Sequence, residues 1–304
     1  MTRRSNRAMD LALLLLLSTV WGASYTFIKI GVETIPPLTL IAARTAIAGA
    51  ILAAILVWRG VRLPRDGRSW RRFLVQACLN SAVPFTLIAW AEQTTPAGLA
   101  TILNSTSPIF TFLLTALVTR HEPVTFLKLF GAAAGLLGTC LIVGVEALDG
   151  LGQELFAQFA IVAATLCYAG AAVFGRSFKG LDPMVPAAGS LISGAALLVP
   201  VSLVVDAPWT LAPSLMSVLA LLALSVVSTA LAFVIYFRLL NALGSVGATA
   251  QAYLRVPIGV AIGVAVLGEA LSATAWMGLG CVVVGVVAMT LPARPPRAAL
   301  APRA

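Results

Sequence analysis

Ten apolar segments, joined by short polar stretches, take up nearly the whole of this 304-residue sequence. A helix needs about 20 apolar residues to cross the hydrocarbon core of a bilayer. Hydrophobic residues make up 60% of the chain and charged residues only 10%, a balance that excludes a soluble domain of this size. We therefore predict an all-α integral membrane protein with spanning helices at about 11–30, 38–58, 73–91, 98–119, 126–145, 155–175, 185–205, 214–237, 246–267 and 274–291.

Lysine and arginine residues collect on one side of the predicted helices. If the N-terminus is cytoplasmic, 17 of the 20 Lys and Arg residues fall in cytoplasmic segments, whereas the external segments carry acids such as Glu33, Glu146 and Asp206. Cytoplasmic loops of membrane proteins are enriched in these cations. The pattern predicts ten spans with both termini in the cytoplasm. The net charge of +9 therefore reflects topology, and nucleic acid is not expected as a partner.

The second half of the chain repeats features of the first half at matching intervals. Gly98 precedes Pro108 by ten residues, and Gly247 precedes Pro257 by the same interval. Each half holds five predicted spans, an odd number, so the two halves enter the membrane from opposite sides. Inverted repeats are typical of secondary transporters, whose substrate site lies near the middle of the membrane between the halves. We predict a cytoplasmic segment, two five-helix repeats and a basic cytoplasmic tail at 1–9, 10–147, 148–291 and 292–304.

Three cations, Lys29, Arg44 and Arg255, lie inside predicted spans. A charge at the bilayer centre costs about 2.5–3.5 kcal/mol on insertion scales, so it faces a cavity or a partner. Arg255 is the nearest to mid-span, whereas Lys29 and Arg44 lie closer to helix ends and can instead extend to the interface. No Asp or Glu lies deep enough in a predicted span to be an obvious partner for Arg255. The cations predict a small-molecule substrate with a carboxylate, such as an amino acid.

Proton-coupled transport normally uses a membrane-embedded acid or histidine, and none is evident in the predicted spans. The sole histidine, His121, falls in a predicted cytoplasmic turn. Facilitative uniport down a gradient is therefore the simpler mechanism. The alternative is a proton-coupled antiporter or an exchanger of another anionic or amphipathic metabolite or drug, with Lys29 or Glu154 as a proton carrier.

Polar and aromatic side chains form stripes along several predicted helices. Trp21, Tyr25 and Lys29 follow at intervals of four residues, and Trp21 and Tyr168 occupy equivalent positions in the two repeats. Serine and threonine in a span often only bond a backbone carbonyl, whereas asparagine and glutamine are costlier to bury in lipid. Trp90 lies near a helix end, where interfacial and pocket positions are equally open. The predicted substrate-binding residues are Trp21, Tyr25, Lys29, Arg44, Asn80, Trp90, Asn104, Ser105, Tyr168, Tyr236, Gln251 and Arg255.

The sequence holds no arrangement typical of an intramembrane enzyme or a metal centre. It has no G-x-S-x-G motif and no paired aspartates within a span, and its four cysteines lie in apolar runs without a CxxC motif. We expect neither catalysis nor a cofactor nor a metal. A membrane scaffold or receptor subunit, the other class considered, would not require inverted repeats.

Several motifs, in order, resemble the EamA branch of the drug/metabolite transporter superfamily over about residues 10–291. They are Trp21-Gly22 with Lys29, Pro37 before Arg44, the Pro108-to-Glu122 unit, and Pro257 before Leu267-Gly268-Glu269. The resemblance implies ten helices in two inverted repeats, with a central cavity lined mainly by helices 1, 3, 4, 6, 8 and 9. It also implies alternating-access export of amino acids or related metabolites across the bacterial inner membrane.

Aromatic amino-acid exporters and threonine/homoserine exporters are the nearest functional types within that branch. Two positions depart from its pattern: Thr119-Arg120-His121-Glu122 stands where Leu-Gly-Glu is usual, and Tyr168 stands where tryptophan is commoner. The small-residue pairs Gly131/Gly135 and Gly259/Gly263 predict close helix contacts within a functional monomer.

Overall fold

A computed structural model describes residues 2–91, 94–95, 102–119, 125–143, 154–258 and 273–291. Every regular element in this part of the chain is a helix, which confirms the predicted all-α class. The predictions on Gly98, His121, Glu122, residues 259–263 and the 267–269 turn lie outside the described residues.

Apart from a short 3-10 helix at Pro208–Thr210, the described residues form ten helical segments, numbered here in chain order. The first five are α1 (Thr2–Val32), α2 (Pro37–Trp58), α3 (Gly67–Ala91), α4 (102–119) and α5 (Phe126–Val143). The second five are α6 (Leu155–Phe178), α7 (Met184–Val205), α8 (215–243), α9 (245–258) and α10 (Ala273–Thr290).

Within the described residues, five helical stretches are long and apolar enough to cross a membrane. They are Pro37–Trp58, Gly67–Ala91, Leu155–Phe178, Met184–Val205 and Leu215–Thr249. Shorter apolar helices occupy Ala8–Ser24, Ile102–Leu117, Phe126–Ile142 and Trp276–Thr290. All of these stretches overlap predicted spans, so apolar length was a good guide to helix position.

Helix α3 begins at Gly67, six residues before the predicted span at 73–91. Asp66 caps it, because the Asp66 carboxylate accepts a hydrogen bond from the Ser69 backbone N–H at 2.8 Å. That hydrogen bond lowers the pKa of the Asp66 carboxyl. The arginines at 68, 71 and 72 mark the limit of an apolar span but not the limit of a helix, so the helix begins before the predicted span.

Helix α8 also runs past its predicted end at 237. Leu239 and Leu240 are buried, and Arg238 forms an ion pair with Asp10 of α1 at 3.9 Å. Gly244 then ends α8 with φ 77°, a backbone conformation that glycine adopts without steric cost. Helices α8 and α9 are therefore joined by a single residue.

Helices from the two halves of the chain pack in pairs, α2 along α7 and α5 along α10. Glycines bring the backbones of α5 and α10 together. A Cβ atom at Gly138 would lie 2.6 Å from the Gly278 carbonyl oxygen, and one at Gly285 would lie 2.6 Å from the Gly131 carbonyl oxygen. The α5–α10 contact therefore depends on the absence of side chains at these positions.

The α2–α7 pair is tied by polar contacts at both ends. At one end the Asp206 carboxylate accepts hydrogen bonds from the Thr39 backbone N–H at 2.8 Å and from the Thr39 hydroxyl at 2.7 Å. At the other end Arg59 forms an ion pair with Asp182 at 3.3 Å.

Candidate functional site

A cavity lies at the centre of the bundle, among α1, α2, α3, α4, α6, α8 and α9. The cavity has a volume of about 50 Å³. The wall is formed by Trp21, Ser24, Ile28, Arg44, Asn80, Phe85, Ile88, Asn104, Ser107, Tyr168, Tyr236, Thr249, Gln251, Ala252 and Arg255.

Arg44, from α2, is 1% exposed and reaches the cavity wall. Its Nε donates a hydrogen bond to the Thr229 hydroxyl at 2.6 Å, and its Nη2 donates one to the Ser228 carbonyl oxygen at 3.3 Å. The guanidinium also lies over the Phe85 ring, with Cζ 4.1 Å from the ring centroid. A cation is attracted to the face of an aromatic ring. The Arg44 charge is thus directed inward by α3 and α8, away from the interface.

Arg255, from α9, places a second guanidinium on the same wall. Its Nε donates a hydrogen bond to the Gln251 side-chain oxygen at 2.9 Å, and its Cζ lies 5.3 Å from the centroid of the Trp21 ring. Gly22 of α1 also lies beside Arg255, since a Cβ atom there would be in ordinary van der Waals contact with the Arg255 Cβ, at 3.7 Å. Helices from both halves therefore supply positive charge to one cavity.

Aromatic rings form the apolar part of the wall. Trp21 is fixed by a hydrogen bond from its Nε1 to the Ser228 carbonyl oxygen at 3.0 Å. The centroid of its ring lies 5.6 Å from the centroid of the Tyr236 ring. Phe85 contacts Tyr168, with 6.4 Å between centroids. The cavity therefore combines cations with flat apolar surfaces, a combination suited to an amphipathic anion.

Helices α3 and α8 each contain a π-helical turn beside the cavity, at Cys78–Ala82 and Val226–Leu231. Such turns occur frequently at functional sites, because the inserted residue redirects side chains. Asn80 lies in the first turn and contributes its amide to the wall, as do Asn104 and Gln251 from other helices.

A cluster of buried aromatic rings adjoins Tyr236. Its neighbour Phe237 contacts Phe178 at 6.1 Å between centroids, and Phe178 stacks on Phe73 at 5.5 Å. The Arg72 guanidinium covers Phe178, with Cζ 4.7 Å from the ring centroid. We call these rings the aromatic plug (Phe73, Phe178 and Phe237). Phe73 lies near the start of α3 and Phe178 is the last residue of α6, so the plug lies near the α2–α3 and α6–α7 connections.

Eight of the twelve predicted binding residues line the cavity: Trp21, Arg44, Asn80, Asn104, Tyr168, Tyr236, Gln251 and Arg255. Ser105 is buried behind the wall, because it lies in a turn that interrupts α4, and Ser107 lines the cavity instead. Trp90 lies outside the cavity at the end of α3, where it is 49% exposed. The side chains of Tyr25 and Lys29 lie outside the described part of the structure.

Sequence reasoning missed several wall residues. Ser24 lies three residues after Trp21 on the same helix face, so the stripe on α1 contained the signal for it. Phe85 is an apolar ring in a predicted span, and its residue type alone does not distinguish a cavity position from one that faces lipid.

The described wall residues include two charged side chains, Arg44 and Arg255, and no Asp or Glu. The described residues also contain no group of three or more metal-ligating side chains. Guanidinium groups bind carboxylates through paired hydrogen bonds, so the chemistry that this wall offers is anion recognition.

Comparison with known proteins gives the family. The sequence model of the EamA-like transporter family matches the chain twice, over residues 9–144 and 155–291. The uncharacterised inner membrane transporter YedA of Escherichia coli K12 is 30% identical over 285 residues, which cover 91% of this chain and 90% of YedA.

More distant relatives cover similar parts of the chain. The uncharacterised transporter YoaV of Bacillus subtilis is 26% identical over 79% of this chain and 82% of its own length. A protein of Streptantibioticus cattleyicolor named a probable terminal-alkyne amino-acid exporter is 24% identical over 90% of this chain and 91% of its own length. A solved crystal structure has the same fold, with a TM-score of 0.73 at 20% identity over 93% of this chain and 96% of that one. The chain therefore belongs to the EamA-like transporter family and is a multi-pass transporter of the bacterial inner membrane, not an enzyme.

Proposed function

We propose that this transporter exports a small carboxylate-bearing metabolite, such as an amino acid, and that the central cavity is its substrate site. The observation that carries the proposal is that Arg44 of the first half and Arg255 of the second half lie on the wall of one cavity. Arginine binds carboxylates through paired, charge-assisted hydrogen bonds, and these are stronger where water is excluded. A substrate carboxylate is therefore held between the two halves.

The rest of the wall accommodates the remainder of such a substrate. Trp21, Tyr168 and Tyr236 provide rings for its apolar part. The amides of Asn104 and Gln251 provide hydrogen bonds for polar groups. Amino acids and related metabolites have this mixture of an anionic end and a variable side chain.

The proposed architecture has ten spans in two inverted five-helix repeats, 10–147 and 148–291, with cytoplasmic segments at 1–9 and 292–304. The family model matches each half separately. Helix α2 packs on α7 and α5 packs on α10, so each pair joins a helix to the one five places later in the chain. Such pairs are expected when two five-helix repeats place equivalent helices against each other. The distribution of Lys and Arg supports termini in the cytoplasm.

Alternating access follows from this topology. The α2–α3 and α6–α7 connections are then cytoplasmic, and the contacts of Phe178 with Phe73 and Phe237 support a closed cytoplasmic side. Substrate enters when Phe73, Phe178 and Phe237 separate, and it leaves after they close and the opposite side opens. Rocking of one repeat against the other about a fixed central site produces such an exchange.

The proposed mechanism is facilitative uniport by a single chain. The described cavity wall carries no Asp or Glu to act as a proton carrier, and helices of one chain supply all of its described residues. The outward direction is supported by the relative named a probable terminal-alkyne amino-acid exporter.

The test is amino-acid uptake into proteoliposomes, which a reversible uniporter performs in either direction. Arg255→Ala is expected to raise the KM at least about tenfold, because a hydrogen bond to a charged group contributes roughly 1.5–3 kcal/mol. Arg255→Lys keeps the charge but lacks the planar guanidinium group. Its KM is therefore expected to lie between those of the wild type and Arg255→Ala. Wild-type uptake is expected to be the same with and without a pH gradient.

Arg62→Ala is the matched control, because Arg62 is exposed in the α2–α3 connection. Unchanged uptake by Arg255→Ala would overturn the assignment of the cavity as a carboxylate site. Uptake driven by the pH gradient would replace uniport with proton coupling.

A further inference from the structure

The π turns of α3 and α8 are counterparts in the two halves. They begin at residues 78 and 226, an interval of 148, and Trp21 and Tyr168, which are equivalent in the two halves, lie 147 residues apart. Each turn contacts one helix of the α2–α7 pair. Helix α2 packs on the α8 turn, and α7 packs on the α3 turn.

The protein's own side chains occupy the turn in α8. The Ser228 carbonyl oxygen accepts hydrogen bonds from Trp21 Nε1 at 3.0 Å and from Arg44 Nη2 at 3.3 Å. The Thr229 hydroxyl accepts one from Arg44 Nε at 2.6 Å. Arg44 therefore fills this turn from α2.

Helix α7, which packs on the turn in α3, contains no arginine. At the repeat interval, Arg44 corresponds to Leu191 or Ile192 of α7, both apolar. The α7 residue beside the turn is Gly194, where a Cβ atom would lie 3.3 Å from the Ser81 hydroxyl oxygen. The two turns are thus alike in backbone and different in what occupies them.

Asn80 is a buried residue of the α3 turn that lies on the cavity wall. It lies at the third position of the α3 turn, is 3% exposed and lines the cavity wall. Its amide Nδ2 has no hydrogen-bond acceptor among the described residues. Buried polar groups in proteins are nearly always hydrogen-bonded, so a donor left unsatisfied in a cavity wall points to a ligand.

We propose that the Asn80 amide donates a hydrogen bond to the substrate, at an oxygen that is not part of the carboxylate bound by arginine. This deepens the proposed function and rests on it. The substrate class becomes a carboxylate-bearing metabolite with a second hydrogen-bond acceptor in its side chain, such as a hydroxyl or carbonyl oxygen. Asn80 then selects among substrates, while the arginines provide the common recognition of the carboxylate.

The test uses competition for transport by pairs in which one member carries a side-chain hydroxyl and the other does not, L-threonine against L-valine and L-tyrosine against L-phenylalanine. In the wild type, the oxygen-bearing member of at least one pair is expected to compete at least about tenfold better, because a site built for a hydrogen bond rejects the analogue that lacks it. Asn80→Ala is expected to abolish that preference and to leave the apolar member unchanged.

A second measurement separates this role from a structural one. Asn80→Leu, which keeps the shape of the side chain, is expected to leave the melting temperature of the ligand-free protein unchanged or raised, because it removes an unsatisfied buried donor. Gln251→Leu is the matched control and is expected to lower the melting temperature, because Arg255 Nε loses its hydrogen-bond acceptor. A loss of stability in Asn80→Leu equal to that of the control would overturn the inference.

The outcomes also distinguish failure of this inference from failure of the proposed function on which it rests. If carboxylates compete but the wild type shows no preference within either pair, or Asn80→Ala weakens both members equally, the inference alone fails. If no carboxylate-bearing compound competes with transport by the wild type, the proposed function fails and the inference with it.

Discussion

Replacement of Arg44 by alanine is expected to reduce transport at least about tenfold and to lower the melting temperature of the protein. The change removes the hydrogen bond to Thr229 and the contact of the guanidinium with Phe85, and it leaves a void in a fully buried site. A hydrogen bond to a charged group contributes roughly 1.5–3 kcal/mol, and the void adds to that loss. Arg44→Lys is expected to recover part of the stability and little of the transport, because an ammonium group cannot make the same fork.

A double-mutant cycle with Thr229→Val isolates the contact itself. Thr229→Val is expected to destabilise the wild type more than it destabilises Arg44→Ala, with a coupling between about 0.5 and 3 kcal/mol. Thermal unfolding in detergent measures the stability, and proteoliposome uptake measures the transport. Full transport by Arg44→Ala would show that this guanidinium has no part in the substrate site.

Alanine at Gly285 is expected to disrupt the α5–α10 pair and to give the largest loss of folded protein. A Cβ atom there would lie 2.6 Å from the Gly131 carbonyl oxygen and 2.7 Å from the Gly135 backbone nitrogen. These are backbone atoms, so the helices must move apart along their whole contact. Overpacking of a close contact costs about 1–3 kcal/mol, and a larger residue such as leucine costs more.

Gly280→Ala on the same helix is the matched control. A Cβ atom at Gly280 meets nothing within 4 Å, and alanine is favoured over glycine in a helix by roughly 0.5–1 kcal/mol. Size-exclusion chromatography of the two variants in detergent, followed by thermal unfolding, makes the comparison. Equal behaviour of the two variants would contradict the α5–α10 packing described here.

Much of the fold follows from the length and order of the apolar segments. A segment such as 185–205 has one stable choice in a bilayer, because only a helix satisfies its backbone hydrogen bonds internally. The limits of the helices were less predictable. Asp66 extends α3 through a stretch of arginines, and Gly244 joins α8 to α9 without a loop, since capping and backbone geometry act independently of hydropathy.

The residues of the cavity wall were predictable where a polar group had to be explained. Burial in lipid costs free energy for the polar side chains of Arg255, Asn104 and Gln251, so a position facing a cavity was the simpler prediction for them. Phe85 and the π turn around Asn80 were not predictable, because an apolar ring is equally stable against lipid and an inserted helical residue leaves no mark in the sequence pattern. Which face of each helix turns inward is decided by packing between helices.

The most direct test of a carboxylate site between Arg44 and Arg255 compares carboxylates with their primary amides of the same shape as competitors for transport. In the wild type, the carboxylate is expected to compete at least about tenfold better than the amide, because only the anion receives charge-assisted hydrogen bonds. In the Arg44→Ala, Arg255→Ala double variant that advantage is expected to disappear. An amide that competes with wild-type transport as well as its carboxylate would contradict the account.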